Sequence, residues 1–226
     1  MSRKAWIGAA AAGLALAAQD AARAQDGWNV SFVGATEYIS KGAGKSDGPH
    51  GALTVERAFG RAYAGGWIGK VSTSKGADAE AHLYAGVKPT LAGVNFDLRA
   101  YYKTLPGTVP GVQQDLFEAR VDASRSFGPT RLRLRAEYSP DSYASVGQAW
   151  WFEAEARQKL SERLSLVGAV GRREQDGGAS YTAWNAGLRA AVSKTLDLDV
   201  RWYDTDARGL GDAYNGRVVA AVTARF

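Results

Sequence analysis

Several stretches of this chain alternate strictly between apolar and polar side chains. From Ala79 to Val87 the odd positions are alanine, leucine or valine, whereas the even positions include Glu80 and His82. A period of two places alternate side chains on opposite faces of a β-strand. The stretch therefore predicts a strand with one apolar face and one polar face.

The same alternation recurs along most of the chain and predicts an all-β fold. It is clearest at 94–103, 117–124, 131–138, 150–157, 184–190, 196–202 and 217–226. Trp28 to Ile39 and Leu164 to Arg173 follow the pattern less strictly, and we predict strands there as well. The count is about twelve strands, each near the roughly 9 to 11 residues that a tilted strand needs to cross a bilayer.

The connections between these strands alternate in length. Short ones lie at 59–61, 91–93, 127–130, 160–164 and 193–195, and longer polar ones at 41–49, 72–78, 104–113, 139–148, 174–180 and 205–213. Short periplasmic turns, long outer loops and an even strand number are typical of bacterial outer-membrane barrels. The pattern predicts an antiparallel up-and-down transmembrane β-barrel of about 12 strands, with both termini on the periplasmic side.

The strands of a soluble sheet can also alternate between apolar and polar side chains. The apolar face could therefore point either into a packed core or outward to lipid. A packed core favours larger aliphatic side chains at mid-strand than the many alanines and glycines found here, whereas a lipid-facing surface tolerates small ones. Aromatic residues near strand ends on the apolar face would form the girdles of a membrane barrel. We assign to these girdles Tyr63, Trp67, Tyr102, Tyr138, Trp150, Trp184, Trp202, Tyr214 and Phe226.

The first residues resemble a secretory signal peptide. Arg3 and Lys4 precede an apolar run from Ala5 to Ala18, and Ala22-Arg23-Ala24 has the form of a cleavage site. An uncleaved anchor helix is the alternative, but the run is shorter than the roughly 20 residues that span a bilayer. We therefore predict a signal peptide over residues 1–24 and one barrel domain over residues 25–226.

Charge and cysteine content exclude several classes of protein. Cleavage after Ala24 would lower the formal net charge from +5 to +3, because Arg3, Lys4, Arg23 and Asp20 are removed. Basic residues are interleaved with acidic ones, which disfavours nucleic-acid binding. The chain has no cysteine, so disulfides and thiolate metal sites are unavailable. A mean hydropathy of −0.27 argues against a bundle of membrane helices.

Short motifs are distributed along the whole mature chain. They are Glu37 to Gly42 followed by Ser46-Asp47, Tyr63 to Trp67, Glu80 with Tyr84 to Gly86, Tyr101 to Gly107, Gly128-Pro129, Glu137 to Asp141, Tyr181 to Gly187 and Tyr203 to Asp206. In this order and spacing they make the chain similar to the TorF family of porins. The resemblance implies an outer-membrane barrel with pore function, without an agreed substrate. The family usually has arginine where this chain has Lys41, which keeps the charge but loses a bidentate fork.

A barrel of about twelve strands has a backbone radius of roughly 12 Å, which leaves a narrow passage between inward side chains. We expect Glu118 and Arg120 to pair across strands with the arginines from Arg131 to Arg135. Our hypothesis is a passive channel that favours small anionic or zwitterionic solutes; a mutually neutralising lining with little selectivity is the alternative. The predicted pore-lining residues are Arg99, Glu118, Arg120, Asp122, Arg131, Arg133, Arg135, Glu137, Glu153, Glu155, Arg157, Arg189 and Arg201.

Two other classes of function are weaker. A lipid-cleaving barrel enzyme needs histidine beside a serine nucleophile, but His50 lies at the end of the first loop without a recognisable serine motif, and His82 is on an inward face. A structural or adhesive barrel would use its outer loops, which are short. Asp204 and Asp206 lack the further oxygen ligands of a calcium loop. We therefore expect no catalytic residues, no metal and no cofactor.

The predicted location is the outer membrane of a Gram-negative bacterium. Expected partners are outer-membrane lipid, small solutes and the barrel-assembly machinery, which would recognise the last strand and Phe226. We expect that strand to pair with the one begun at Trp28. The solute, the open or plugged state of the lumen, the oligomeric state and any regulation are left open by the sequence.

Overall fold

The computed structural model of the protein describes residues 27–226, so the predicted signal peptide over residues 1–24 lies outside the described residues. Twelve antiparallel strands form the wall of one closed barrel. They are β1 (Gly27–Ala35), β2 (His50–Phe59), β3 (Ala62–Lys70), β4 (Ala79–Val87), β5 (Val94–Thr104), β6 (Asp115–Phe127), β7 (Thr130–Ser139), β8 (Ala149–Lys159), β9 (Leu164–Gln175), β10 (Tyr181–Ala191), β11 (Leu196–Thr205) and β12 (Arg217–Arg225).

Each strand pairs with its neighbours in sequence, and the last strand closes the barrel on the first. Phe32 of β1 lies opposite Ala224 of β12, which confirms the pairing expected between the two ends. The two-residue segment Thr90–Leu91 also pairs with β5. Three short 3-10 turns lie in the long connections, at Tyr143–Ser145, Arg208–Leu210 and Asp212–Tyr214. The up-and-down topology with twelve strands is therefore as predicted.

Between residues 27 and 226, no helix has the length and apolar character that a membrane-crossing helix needs.

The two faces of the wall have the polarity that the sequence pattern predicts. On β7, Leu132 and Leu134 point outward and are exposed, whereas Arg133 and Glu137 point inward and are buried. This arrangement is the reverse of a soluble barrel, in which charged side chains face water outside and apolar ones fill the core. The apolar outer face and the charged interior are those of a membrane barrel.

The first strand is shorter than predicted. We expected it to run from Trp28 to Ile39, but β1 ends at Ala35. Ile39–Ser40 instead pairs with Ala43–Gly44 in a small separate hairpin. The chain reverses at Lys41 and Gly42, which both have positive φ angles, of 52° and 82°. Two consecutive residues with positive φ make the tight turn that joins antiparallel strands.

Three of the predicted girdle residues do not face outward. Tyr63 and Trp67 point into the barrel and are buried, and Tyr214 lies in a 3-10 turn, 5.2 Å from the ring of Tyr181. A glycine on an adjacent strand makes room for such inward rings: a Cβ on Gly86 would lie 2.5 Å from the Tyr63 hydroxyl. The other predicted girdle residues lie on the outer face, namely Tyr102, Tyr138, Trp150, Trp184, Trp202 and Phe226.

Candidate functional site

The predicted pore-lining side chains all extend from the wall into the barrel interior, where they are buried or half-buried. Their role in a conducting path stays a prediction. They lie on six strands, β5 to β8, β10 and β11, and are Arg99, Glu118, Arg120, Asp122, Arg131, Arg133, Arg135, Glu137, Glu153, Glu155, Arg157, Arg189 and Arg201.

Ion pairs link these side chains across the middle of the wall. Arg135 donates to both carboxylate oxygens of Asp122, at 2.7 and 2.9 Å. Arg201 binds Asp199 through two hydrogen bonds of 2.7 Å. Arg133 pairs with Glu153 and, at 3.4 Å, with Glu155. Such fork-to-fork contacts fix guanidinium groups firmly, so this part of the lining is largely neutralised.

The prediction that Glu118 and Arg120 pair with the arginines from Arg131 to Arg135 was wrong. Glu118 does not pair with the arginines of β7 but with Lys103, at 3.1 Å, on the other neighbouring strand. Arg120 lies 3.8 Å from Glu137 and from Asp122. Two like charges, Arg99 and Arg120, stand directly opposite each other. Partner choice therefore depends on both flanking strands, whereas the prediction considered only one of them.

Aromatic rings fill the interior along β2 to β5, and sequence reasoning did not identify them as a group. Trp67 stacks on His82 with ring centres 4.5 Å apart, and it lies 6.2 Å from His50. Tyr101 continues the row at 5.9 Å from His82. The signal that could have found them is glycine on the same face: a Cβ on Gly69 would lie 2.7 Å from the Trp67 ring.

The histidines are held inside this aromatic row. His82 is 2.5 Å from a carboxylate oxygen of Glu80, and Nδ1 of His50 is 2.7 Å from the Lys70 carbonyl. His50 begins β2 and is buried, so it is part of the wall and not of the first loop as we expected.

The first long connection folds into the barrel, and we call residues 38–46 the lumenal hairpin. At its base the Lys45 amide donates to the Tyr38 carbonyl at 2.7 Å, and the Tyr38 amide donates to the Ser46 hydroxyl at 2.9 Å. The Tyr38 ring stacks on His50 at 4.5 Å. One face of the hairpin therefore adds to the aromatic row.

The tip of the lumenal hairpin reaches the far wall. Nζ of Lys41 lies 3.0 Å from both carboxylate oxygens of Glu118 and also pairs with Glu137. The Tyr181 hydroxyl donates to the Lys41 carbonyl at 2.8 Å. Gly42 sits so close to Ala183 that a Cβ would lie 2.1 Å from that methyl group. The hairpin thus spans the lumen from β1 and β2 to β6, β7 and β10.

Burial lowers the pKa of Lys41 below its ordinary value. Glu118 and Glu137 act in the opposite direction because a carboxylate stabilises the charged amine, whereas Arg173 and Lys103 add to the lowering. Lys41 is therefore a half-buried cation whose charge depends on its two carboxylate partners.

A small cavity separates the hairpin tip from the wall at β8 to β11. Its volume is about 30 Å³, which holds about two water molecules. Trp151 and Ala183 of the wall line this space, and Glu153 and Asn185 supply polar groups. The tip of the lumenal hairpin therefore narrows the interior at the end of the barrel with the long loops.

The opposite end, with the short turns, is rich in arginine. Arg131 and Arg157 stand directly opposite each other on β7 and β8. Arg189 and Arg225 both pair with Asp197. We call these four arginines the basic cluster.

Asp204 and Asp206 have local roles. Asp204 pairs with Arg208, and Asp206 accepts a hydrogen bond from the Thr182 amide at 2.8 Å. These contacts tie the connection after β11 to the wall.

Solved structures with the same architecture are outer-membrane channels. The KdgM porin aligns with a TM-score of 0.62 at 7% identity, over 88% of this chain and 99% of that one. The NanC porin aligns with a TM-score of 0.62 at 7% identity, over 86% and 98% of the two chains. The COG4313 outer membrane channel from Pseudomonas putida F1 aligns with a TM-score of 0.58 at 11% identity, over 93% of this chain and 100% of that one.

At such low identity these similarities establish the fold, a porin-like barrel. No curated protein sequence matches this chain. A family model described as "Bacterial protein of unknown function (Gcw_chp)" matches residues 21–226. The chain therefore belongs to the Gcw_chp family.

Proposed function

We propose that this protein is an outer-membrane channel for the passive diffusion of small solutes, with a preference for anionic or zwitterionic ones. The observation that carries the proposal is the closed barrel with an apolar outside and a charged inside. Charged side chains such as Arg120 and Glu137 in a closed interior have to be paired or solvated, and an interior lined in this way is compatible with water and small polar solutes.

The preference for anions rests on the basic cluster. Like charges directly opposite each other on a sheet repel, and Arg131 faces Arg157 in that way. Arg189 and Arg225 share the carboxylate of Asp197, so two guanidinium groups at this end face one negative charge. Rings of arginine in a pore attract and select anions.

Planar-bilayer recording of the purified protein tests the proposal. We expect discrete conductance, and a reversal potential in a salt gradient that shows anion preference. The double variant Arg131→Gln with Arg157→Gln should shift this reversal potential toward cations. Arg172→Gln is the matched control, because Arg172 lies on the outer face and pairs there with Glu174 at 2.6 Å.

Absence of conductance would refute the channel. If the protein conducts but the double variant has the same reversal potential as the original, the result would instead favour a neutralised lining without selectivity.

We also propose that the protein is exported by a signal peptide over residues 1–24 and inserted into the outer membrane of a Gram-negative bacterium, as a member of the TorF family. The band of exposed apolar side chains supports contact with membrane lipid. Phe226 is 82% exposed at the end of β12, which suits recognition by the barrel-assembly machinery. Cell fractionation and N-terminal sequencing of the mature protein would test location and cleavage.

The proposal includes no catalytic activity. Both histidine rings are packed in the aromatic row, where Glu80 and the Lys70 carbonyl orient them. We expect no lipase or deacylase activity from the purified protein. Activity that disappears in His50→Ala or His82→Ala would overturn this part of the proposal.

A further inference from the structure

We propose that the lumenal hairpin is the gate of this channel, and that Lys41 latches it closed through Glu118 and Glu137. The inference rests on the proposed channel function, which supplies the passage that a gate would control. It assigns the hairpin a conformational role beyond that of a fixed constriction.

The base of the hairpin is anchored to the wall by backbone hydrogen bonds. The Thr36 amide donates to the Ala220 carbonyl at 2.9 Å, and the Ser72 amide donates to the Lys45 carbonyl at 2.7 Å. Ile39 also packs against Tyr203 and Val219. The base therefore stays attached to β12 and to the connection after β3 when the tip moves.

The tip is held in a different way. Lys41 is bound by the two carboxylates, and its carbonyl accepts one hydrogen bond from Tyr181. Gly42 contacts Ala183 without a side chain of its own. The attachment of the tip is thus mainly ionic, whereas the base is held by backbone hydrogen bonds and apolar packing in addition to the ion pair of Glu37 with Arg217.

An ionic attachment in a polar interior is well suited to a latch. The cost of removing water from Lys41 offsets much of its attraction to Glu118 and Glu137, so the closed and open states differ little in free energy. The ammonium group is a compact charge without the planar fork of arginine, and a soluble anion or a competing cation can replace either partner. Such a balance allows small changes in conditions to move the tip.

Opening would change the passage substantially. In the closed state only a small cavity remains beside the tip, lined by residues such as Trp151 and Glu153. Withdrawal of Lys41 and Gly42 would add the volume of the turn to this cavity and would expose Glu118 and Glu137 to entering solutes.

The first test compares conductance among latch variants. Lys41→Met keeps the length of the side chain and removes its charge, and Glu118→Gln with Glu137→Gln removes the partners. Both changes should raise single-channel conductance or open probability at least two-fold. The conductance and open probability of Lys41→Arg should stay close to those of the original protein. Lys45→Met is the matched control, because Lys45 is in the same hairpin and contacts the Tyr143 ring, 5.7 Å away.

A second test follows the hairpin without relying on conduction. The chain has no cysteine, so Ala43→Cys introduces a unique thiol next to the tip, at a position that is 8% exposed. We expect a water-soluble maleimide to label this thiol faster when Lys41→Met or the double glutamine change is added. Heat-modifiable migration of each variant on gels checks that the barrel has folded.

The combined outcomes separate the gate from the channel. Faster labelling and larger currents in both latch variants, but not with Lys45→Met, would support the inference. Faster labelling without current in any variant would support the latch and refute the channel. Labelling that neither latch variant accelerates would overturn the latch, whether or not the protein conducts.

Discussion

The outward direction of the apolar face can be tested at Leu134. This residue lies near the middle of β7 and is 63% exposed. Its neighbours across the two adjoining strands are Ala123 and Ala154, so an arginine at this position meets no steric obstacle. The cost of Leu134→Arg therefore depends on what surrounds the outer face.

The expected free-energy cost of Leu134→Arg follows from the position of Leu134 on the outer face. Arginine on the lipid face near the bilayer midplane costs about 2 to 4 kcal/mol in a transmembrane barrel. At about 1.4 kcal/mol for each factor of ten, the folding equilibrium constant should fall by about 30-fold to about 700-fold. In a soluble barrel the same exposed change would be within about 0.5 kcal/mol of neutral.

The assay is reversible urea unfolding of the protein in lipid vesicles, followed by tryptophan fluorescence and gel mobility. Leu210→Arg serves as the control, because Leu210 is 50% exposed but lies in the turn Arg208–Leu210 of a long connection. We expect the Leu134 variant to unfold at a much lower urea concentration than the original protein. The Leu210 variant should have the same unfolding midpoint as the original. Equal stability of the two variants would refute the assignment of the outer face to lipid.

Three further predictions concern packing, assembly and pH. Gly171→Ala should destabilise the barrel by about 1 to 3 kcal/mol in the same urea assay, because the new Cβ would lie 2.2 Å from the Trp151 ring. Gly168→Ala on the same strand is the control and should be tolerated, since the nearest atom to its new Cβ would be 3.6 Å away. Deletion of Phe226 should reduce the fraction of heat-modifiable barrel in outer-membrane preparations, and normal assembly without it would contradict its role. Because burial lowers the pKa of Lys41, the folded protein loses that proton at a lower pH than an exposed lysine does. The latch should then weaken as pH rises through the lowered pKa, so bilayer conductance should increase at alkaline pH in the original protein and remain flat in Lys41→Met.

The strands and their faces could be predicted from the sequence because a membrane barrel imposes one simple rule along its whole length. Every second side chain must be compatible with lipid, so the alternation around Leu134 or Leu83 shows both the strand and its orientation. The lengths of the connections show which turns share an end. These properties are local, and a single sequence contains them.

Contacts between distant parts of the chain could not be predicted in the same way. Tyr63 and Trp67 were assigned to the outer face, although Gly86 on the adjacent strand and Gly69 on the same strand leave room for inward rings. Glu118 was paired with β7 alone, whereas its partners are Lys103 on β5 and Lys41, which lies 77 positions earlier in the chain. A charged loop residue gives no sign in the sequence that its loop folds inward.

The two halves of the interior explain why the hairpin lies where it does. Rings such as Trp67 and Tyr101 occupy the space beside β2 to β5, and Tyr38 extends this packing into the hairpin. On the opposite wall Gly42 rests against Ala183, and a small cavity remains beside it. In the proposed channel a solute at this level would pass along β8 to β11, beside the hairpin tip. The position of the tip would then set the size of the passage, and the basic cluster at the other end would set the proposed charge preference. Substitutions at Lys41 should consequently change conductance more than selectivity, and substitutions at Arg131 and Arg157 should do the reverse.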